Sequence, residues 1–370
     1  MQQLKAGVGK QRITPPAGIP FLGHAYRVSE GIHDDLWAKV LVLEQGDTTA
    51  AVVALDLVWP MPEDDYVKIR QAIEEATDIK GENVMVSCTH SHSGPEFEPR
   101  PEYGIPVQRQ RELIEPWVEE LPQRIARAAE KATDDLKEAT LHFGRSLITG
   151  ISYNRRIPTA DGVVTITCGT DEMPRRVREQ YIQWGMSPEQ AEEHAPLGIP
   201  VGPIDPDLDV TWLEDQEGTA FAILVNFACH AVACGPPAPY LISAGFPGFT
   251  AGYVEGATGA TCLFTAGAGG DIRPYRSPPR GFEEPERIGL VLASGVLKAM
   301  KEAERINGEL KLVSGAVLPA RELFGMVAEK IPHVVDICGD NQVAEDGTLF
   351  TTCSPTDGHY EEALAQRFWE

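Results

Sequence analysis

Chemistry in this sequence concentrates in His90-Ser91-His92, which closes the alternating apolar run of residues 83–89 and is followed at once by Ser93-Gly94-Pro95. Two imidazoles one residue apart at the end of a strand project to the same face, so both can reach one metal ion or one substrate atom. Neutral imidazoles are zinc ligands, and zinc lowers the pKa of the water it holds to about 7, which makes hydroxide available for hydrolysis. The competing reading is a hydrogen-bonded histidine pair in a loop. The turn implied by Ser-Gly-Pro exposes the pair and favours function.

Three further positions bear on the same chemistry. His230 ends the apolar run NFACHAV, where a lone histidine is more often a core residue; as a partner of His90 it is the natural second ligand. Asp271 follows the glycine-rich TAGAGG, whose glycines would also let backbone amides approach an oxyanion, and it serves equally well as a turn cap. Arg273 after it can hold a carboxylate or carbonyl. Asp56 is a further ligand or supporting carboxylate. Cys88 and Cys229 precede the histidines without any nucleophile signature, and TAGAGGDIRP lacks the spacing of a phosphate or dinucleotide loop.

The elements that must position these residues follow from periodicity. Residues 36–58 read as a hairpin turning at Gln45-Gly46-Asp47, followed by a helix carrying Tyr66, Ile69, Ile73 and Ala76. Then come the strand 83–89, a helix through Leu113, Trp117, Leu121, Ile125 and Ala128, and a strand at 139–147. About 170 residues later the order returns: a hairpin at 208–230 turning at Glu217-Gly218, a short helix at 247–256, a strand at 260–267, a long helix through Ile288 and Met300, and a strand at 309–319. The expected fold is therefore α/β, a layered mixed-sheet domain built from two similar halves. One domain is expected over residues 1–370: half one at about 6–147, a partly helical connecting cover at 148–207, half two at 208–319 and a variable tail at 320–370. Polar residues at one end of such a sheet are where these folds place their sites.

Composition narrows the partners. Apolar residues make up 42% of the chain, enough for a core without staples, and the seven cysteines have no paired spacing and read as reduced, buried thiols. A net charge of −23, from 55 acidic and 32 basic residues, opposes nucleic acid and anionic membrane surfaces. The opening MQQLKAGVGK lacks a signal peptide's apolar stretch, and no apolar run is long enough for an integral membrane segment, so a cytoplasmic location is expected. The oligomeric state is not readable.

In order along the chain, GIHDDLWAK, VSCTHSHSGPE, SYNRR, NFACHAV, ISAGFPG and FTAGAGGDIRP resemble segments of the neutral (non-lysosomal) ceramidase family, especially its shorter bacterial members. The resemblance implies zinc-dependent hydrolysis of the amide bond of N-acyl lipids such as ceramide. It implies His90 and His230 as zinc ligands, His92 and Arg155 near the substrate carbonyl, and His33 as a cleft residue. Arg273 stands where the family has a serine, and Gly245 where it often has an aspartate. The family's later zinc-binding glutamate and tyrosine have no clear counterpart, with Tyr360 and Glu361 the nearest candidates. The expected activity is metal-dependent amide hydrolysis with Zn2+, a lipid or small-molecule amide as substrate, and Asp271 as a third candidate catalytic group. The alternatives are a hydrolase of a small soluble amide or ester, and an inactive relative that binds through the old cleft.

Overall fold

The computed structural model describes residues 3–21, 27–58, 63–97, 104–159, 162–165, 178–179, 182, 185–194, 203–232, 240–275, 281–302, 341–343 and 349–351. The chain divides into two units: Met1–Ile151, Asp205–Gly267 and Pro278–Gly315 form the first, and Ser152–Ile204, Ala268–Ser277 and Ala316–Glu370 the second. The expected closing strand at 309–319, most of the tail, and the candidates Tyr360 and Glu361 lie outside the described residues.

The first unit holds, in chain order, β1 (Lys5–Arg12), β2 (Gly31–Ile32), β3 (Trp37–Gln45), β4 (Thr48–Leu55), α1 (Glu63–Thr77), β5 (Val84–Cys88), α2 (Val107–Asp134), β6 (Thr140–Leu147), β7 (Asp207–Glu214), β8 (Ala220–Phe227), β9 (Leu241–Ile242), α3 (Gly245–Thr258), β10 (Thr261–Ala266) and α4 (Glu283–Glu302). The two hairpins turn where glycine permits a positive φ, 64° at Gly46 and 79° at Gly218. In the second turn the Asp215 carboxylate also accepts the Glu217 and Thr219 amides, each at 2.9 Å.

Two main sheets result, with strand orders β5-β4-β3-β1 and β10-β8-β7-β6, and the two-residue strand Lys137–Glu138 adds a fifth strand beyond β1 in the first. In each, the outermost pair is parallel (β4 with β5, β8 with β10) and the remaining pairs are antiparallel. β6 departs from expectation. Read as the strand that closes the first half, it pairs along its whole length with β7 and serves the second sheet as β1 serves the first. β1 itself, KAGVGKQR, carries no apolar alternation.

The strand periodicity accounts for the layers. One face of each sheet contributes Leu41, Ala54, Leu213, Ala222 and Leu263 to an apolar seam between the sheets, and the other face of the first sheet packs Val40, Val42 and Val53 against Ile69, Ile73, Leu121 and Ile125 of α1 and α2. α3 and α4 lie against the second sheet. Glycines set the tightest approaches: a Cβ on Gly9 would stand 2.2 Å from the Ala128 carbonyl oxygen of α2, and one on Gly289 of α4 would stand 2.4 Å from Phe249 Cβ of α3.

In the second unit, Ser152–Asn154 pairs with Ile272–Pro274, and Arg156–Thr159 forms a hairpin with Gly162–Thr165. The described part of the connecting segment combines these extended stretches with helical residues at 178, 179 and 182 and the helix Pro188–His194.

Candidate metal centre

Both parallel strand pairs of the first unit release a histidine beyond their carboxyl ends, His90 two residues after β5 and His230 three residues after β8. The rings of His90, His92 and His230 come together there, with one nitrogen from each within 4.8 Å of the others. His90 Nε2 and His230 Nε2 are 3.1 Å apart, with ring planes at 77°. Two nitrogens each 2.0–2.1 Å from a tetrahedral ion are separated by about 3.3 Å, so this pair fits a shared ion. Metal-free, the same pair makes one N–H···N hydrogen bond. His92 is set back: its ring centroid lies 4.9 Å from His90 and 5.3 Å from His230, against 4.4 Å between those two. All three rings are half-buried. Three half-buried imidazoles converging in this way match the donor set of a catalytic zinc site.

The route by which the pair converges differs from simple alternation. β5 ends at Cys88, and His90 adopts φ 61°, a left-handed conformation that side chains other than glycine seldom take. The turn, rather than the strand pleat, aims the ring. Ser93, Gly94 and Pro95, expected to expose the pair, are themselves buried, as is Glu96, while the histidines beside them are half-buried. The loop is held from several segments: the Thr89 and His90 amides donate to the Leu55 and Leu57 carbonyls at 2.8 and 3.0 Å, and the His92 amide donates to Ala231 O at 3.1 Å.

The remaining candidates occupy other settings. His33 stacks on Phe282 with centroids 3.7 Å apart and places Nδ1 2.6 Å from Asp34 Oδ2. Asp56 is buried and outside the histidine cluster; its Oδ2 accepts the Trp37 amide at 2.9 Å, tying β4 to the start of β3. Burial pushes its carboxyl up to about 7, with the Lys39 charge working in the opposite direction. Burial also pushes the Cys88 thiol up, which argues against a thiolate nucleophile. Cys229 and Cys262 are buried thiols outside any disulfide among the described residues.

Arg155, Asp271 and Arg273 belong to the second unit. There the Asp271 carboxylate accepts Asn154 Nδ2 at 2.9 Å, the Asp271 carbonyl accepts the Arg155 amide at 2.7 Å, and Tyr153 pairs with Arg273 across the two short strands. Asp271 thereby performs the turn-fastening role that the sequence left open beside the catalytic one.

Sequence reasoning missed a part-buried ion pair. Lys39 Nζ bonds Glu255 Oε1 and the Cys262 carbonyl, both at 2.7 Å, joining β3, α3 and β10. A lysine inside AKVLVL gives no local sign that a carboxylate over 200 residues away will meet it.

A layered α/β unit with imidazoles gathered beyond its parallel strands defines a protein with a candidate histidine metal centre. Residues 4–160 match the family model for neutral/alkaline non-lysosomal ceramidase, N-terminal, in agreement with the resemblance read from the motifs. Among solved structures, neutral ceramidase from Pseudomonas aeruginosa is similar with a TM-score of 0.62 at 20% identity, over 84% of this chain and 46% of that one. A structure described as ceramidase complexed with C2 gives a TM-score of 0.60, again at 20% identity and with 84% and 46% covered. At this identity the likeness is one of fold, and the chain spans less than half the length of these solved chains. No curated protein matches the sequence. Among the described residues no helix is long and apolar enough to cross a membrane.

Proposed function

We propose that the chain is a zinc-dependent hydrolase of a linear amide bond, with an N-acyl lipid of the ceramide type as substrate. The observation that carries the reading is the close approach of His90, His92 and His230 nitrogens from two different strand pairs. His90 and His230, whose nitrogens are 3.1 Å apart, would hold the ion. When bound, zinc polarises a carbonyl and makes water nucleophilic near neutral pH. His92, set back from the pair, is assigned to the substrate carbonyl oxygen, to which a ring N–H donates as charge builds there. Arg155 is assigned a carbonyl-orienting role on the family resemblance. Arg273, in place of the family's serine, cannot act as a hydroxyl nucleophile and is assigned to substrate binding with His33. Asp271 is assigned a supporting part in catalysis. The products are a carboxylate and an amine, one water being consumed.

A second reading, hydrolysis of a small soluble amide or ester, is favoured by the net charge of −23, which repels an anionic lipid surface. The test is metal content of protein purified without added metal and after zinc loading, beside His90→Ala and His230→Ala, with turnover of N-acyl sphingosines in neutral micelles against short-chain soluble N-acyl amides. Metal held by the wild type and lost by both variants, with release of fatty acid from the micellar substrate, is expected. Turnover of soluble amides alone selects the second reading. Absence of metal after loading overturns both.

A further inference from the structure

We infer that Asp34 is a positioning residue for the histidine loop, acting through Ser243; the inference rests on the reading of His90, His92 and His230 as a metal centre. β2 pairs in parallel with β9, and the His33 and Asp34 amides continue that pairing by donating to Ile242 O at 2.9 and 3.4 Å. The Asp34 carboxylate is thereby delivered to the start of α3. There its Oδ1 accepts the Ala244 amide at 2.8 Å, and its Oδ2 accepts the Ser243 hydroxyl at 2.5 Å beside His33 Nδ1.

Ser243 is completely buried and faces the histidine loop with its main chain. Its amide donates to Ser93 O at 2.8 Å, and its carbonyl accepts the Ser91 hydroxyl, also at 2.8 Å. Ser91 and Ser93 bracket His92 and are 0% and 2% exposed, so neither has water as an alternative partner. The Ser243 hydroxyl has one proton, directed to Asp34, and its lone pair accepts the Gly245 amide at 3.0 Å. Its rotamer is therefore set from both sides. Hydrogen bonds to a carboxylate are shorter and stronger than neutral ones, so Asp34 makes the stiffest joint in a chain running from β2 to Ser91, the residue that directly follows His90. Partners bonded directly to a metal ligand typically contribute 10–100-fold in affinity, and the Asp34–Ser243–Ser91 chain acts one residue from such a ligand, so the lower end of that range is expected.

The competing account is that Asp34 only caps α3, in which case its loss lowers stability and leaves the folded site untouched. Asp34→Asn keeps an oxygen for the Ala244 amide and replaces Oδ2 with an amino group that cannot accept from Ser243. The zinc dissociation constant, read by competition with a chromophoric chelator, is compared for wild type, Asp34→Asn, Ser91→Ala and the double variant, with thermal unfolding of each metal-free protein in parallel. Each single change is expected to weaken zinc binding about tenfold or more, and the double variant to be little worse than either, because both cut one chain of contacts. Unchanged affinity in Asp34→Asn, whatever its melting temperature, or full additivity in the double variant, overturns the inference. Should Asp34→Asn fail to fold, Ser243→Ala decides in its place: weakened zinc binding supports the relay and unchanged binding overturns it. A wild type that takes up no zinc overturns the metal reading and this inference with it; a wild type that binds, beside an Asp34→Asn that binds equally well, overturns the positioning role alone.

Discussion

Replacing Asp56 with asparagine should remove a pH dependence of stability that runs opposite to ordinary acid denaturation. Burial raises this carboxyl from 3.8 to about 7. Between those values the folded chain keeps a proton that the unfolded chain has released, so stability falls as pH rises, by up to about 1.4 kcal/mol per pH unit, and levels off above about pH 7. A rise of about three pH units corresponds to about 4 kcal/mol. Asparagine retains an oxygen for the Trp37 amide that Oδ2 now accepts at 2.9 Å, and it has no charge to bury. The assay is urea unfolding of metal-free protein at pH 4.5, 6 and 8. Wild type and Asp56→Asn should be close in stability at the lowest pH, and the variant should gain by roughly 3 kcal/mol at the highest. The opposing influence is Lys39, whose charge lowers the same carboxyl. If the two proteins keep a constant difference across the range, or the wild type gains relative to the variant as pH rises, the Lys39 charge prevails over burial and the reasoning fails.

Other changes probe packing and strain. Gly9→Ala places a methyl 2.2 Å from a backbone carbonyl and 2.7 Å from the Ala132 amide nitrogen, neither of which can swing aside; a loss of about 3 kcal/mol or more in denaturant unfolding is expected, and a loss under about 1 would contradict the β1–α2 approach. Lys39→Met leaves the half-buried Glu255 without its nearest cation and should cost about 1–2 kcal/mol, between exposed and buried pairs, read as a lowered urea midpoint; a neutral result would mean that Lys10, 3.2 Å from the other Glu255 oxygen, suffices. At His90 the usual ranking should invert: with φ at 61°, metal-free His90→Gly should be more stable than His90→Ala by about 1 kcal/mol, and the opposite order would show that the loop relaxes out of the left-handed region.

Much of the layered architecture was legible because its signals are local. Apolar alternation flanking Gly46 and Gly218, and helical spacing through Trp117, Leu121 and Ile125, each specify an element within a few residues of where it stands. β1 was not legible: two glycines and three basic residues make a poor strand signal, and those glycines are there because α2 crosses directly over them. The partner of β6 was equally hidden. Strand pairing is a property of two distant segments, and adjacency to α2 suggested the nearer sheet when the hydrogen bonds run to β7.

The site shows the same division between what a motif announces and what the fold supplies. His-x-His and NFACHAV could be picked out because histidines at the ends of apolar runs are uncommon, and each was placed beyond a strand. Their convergence is not written in that spacing. It depends on a left-handed His90, a conformation that costs about 1–2 kcal/mol for a residue with a Cβ. It persists because the Thr89, His90 and His92 amides are all engaged by carbonyls of other segments. None of Leu55, Leu57 and Ala231 has a side chain that could mark it, since each contributes only its carbonyl oxygen to the loop. Ser243 is the exception, a polar residue with nothing to do in a buried strand end except hold its neighbours. Buried serines beside a suspected ligand loop are therefore the sequence signal that could have extended the site from the two histidine motifs to the residues that aim them.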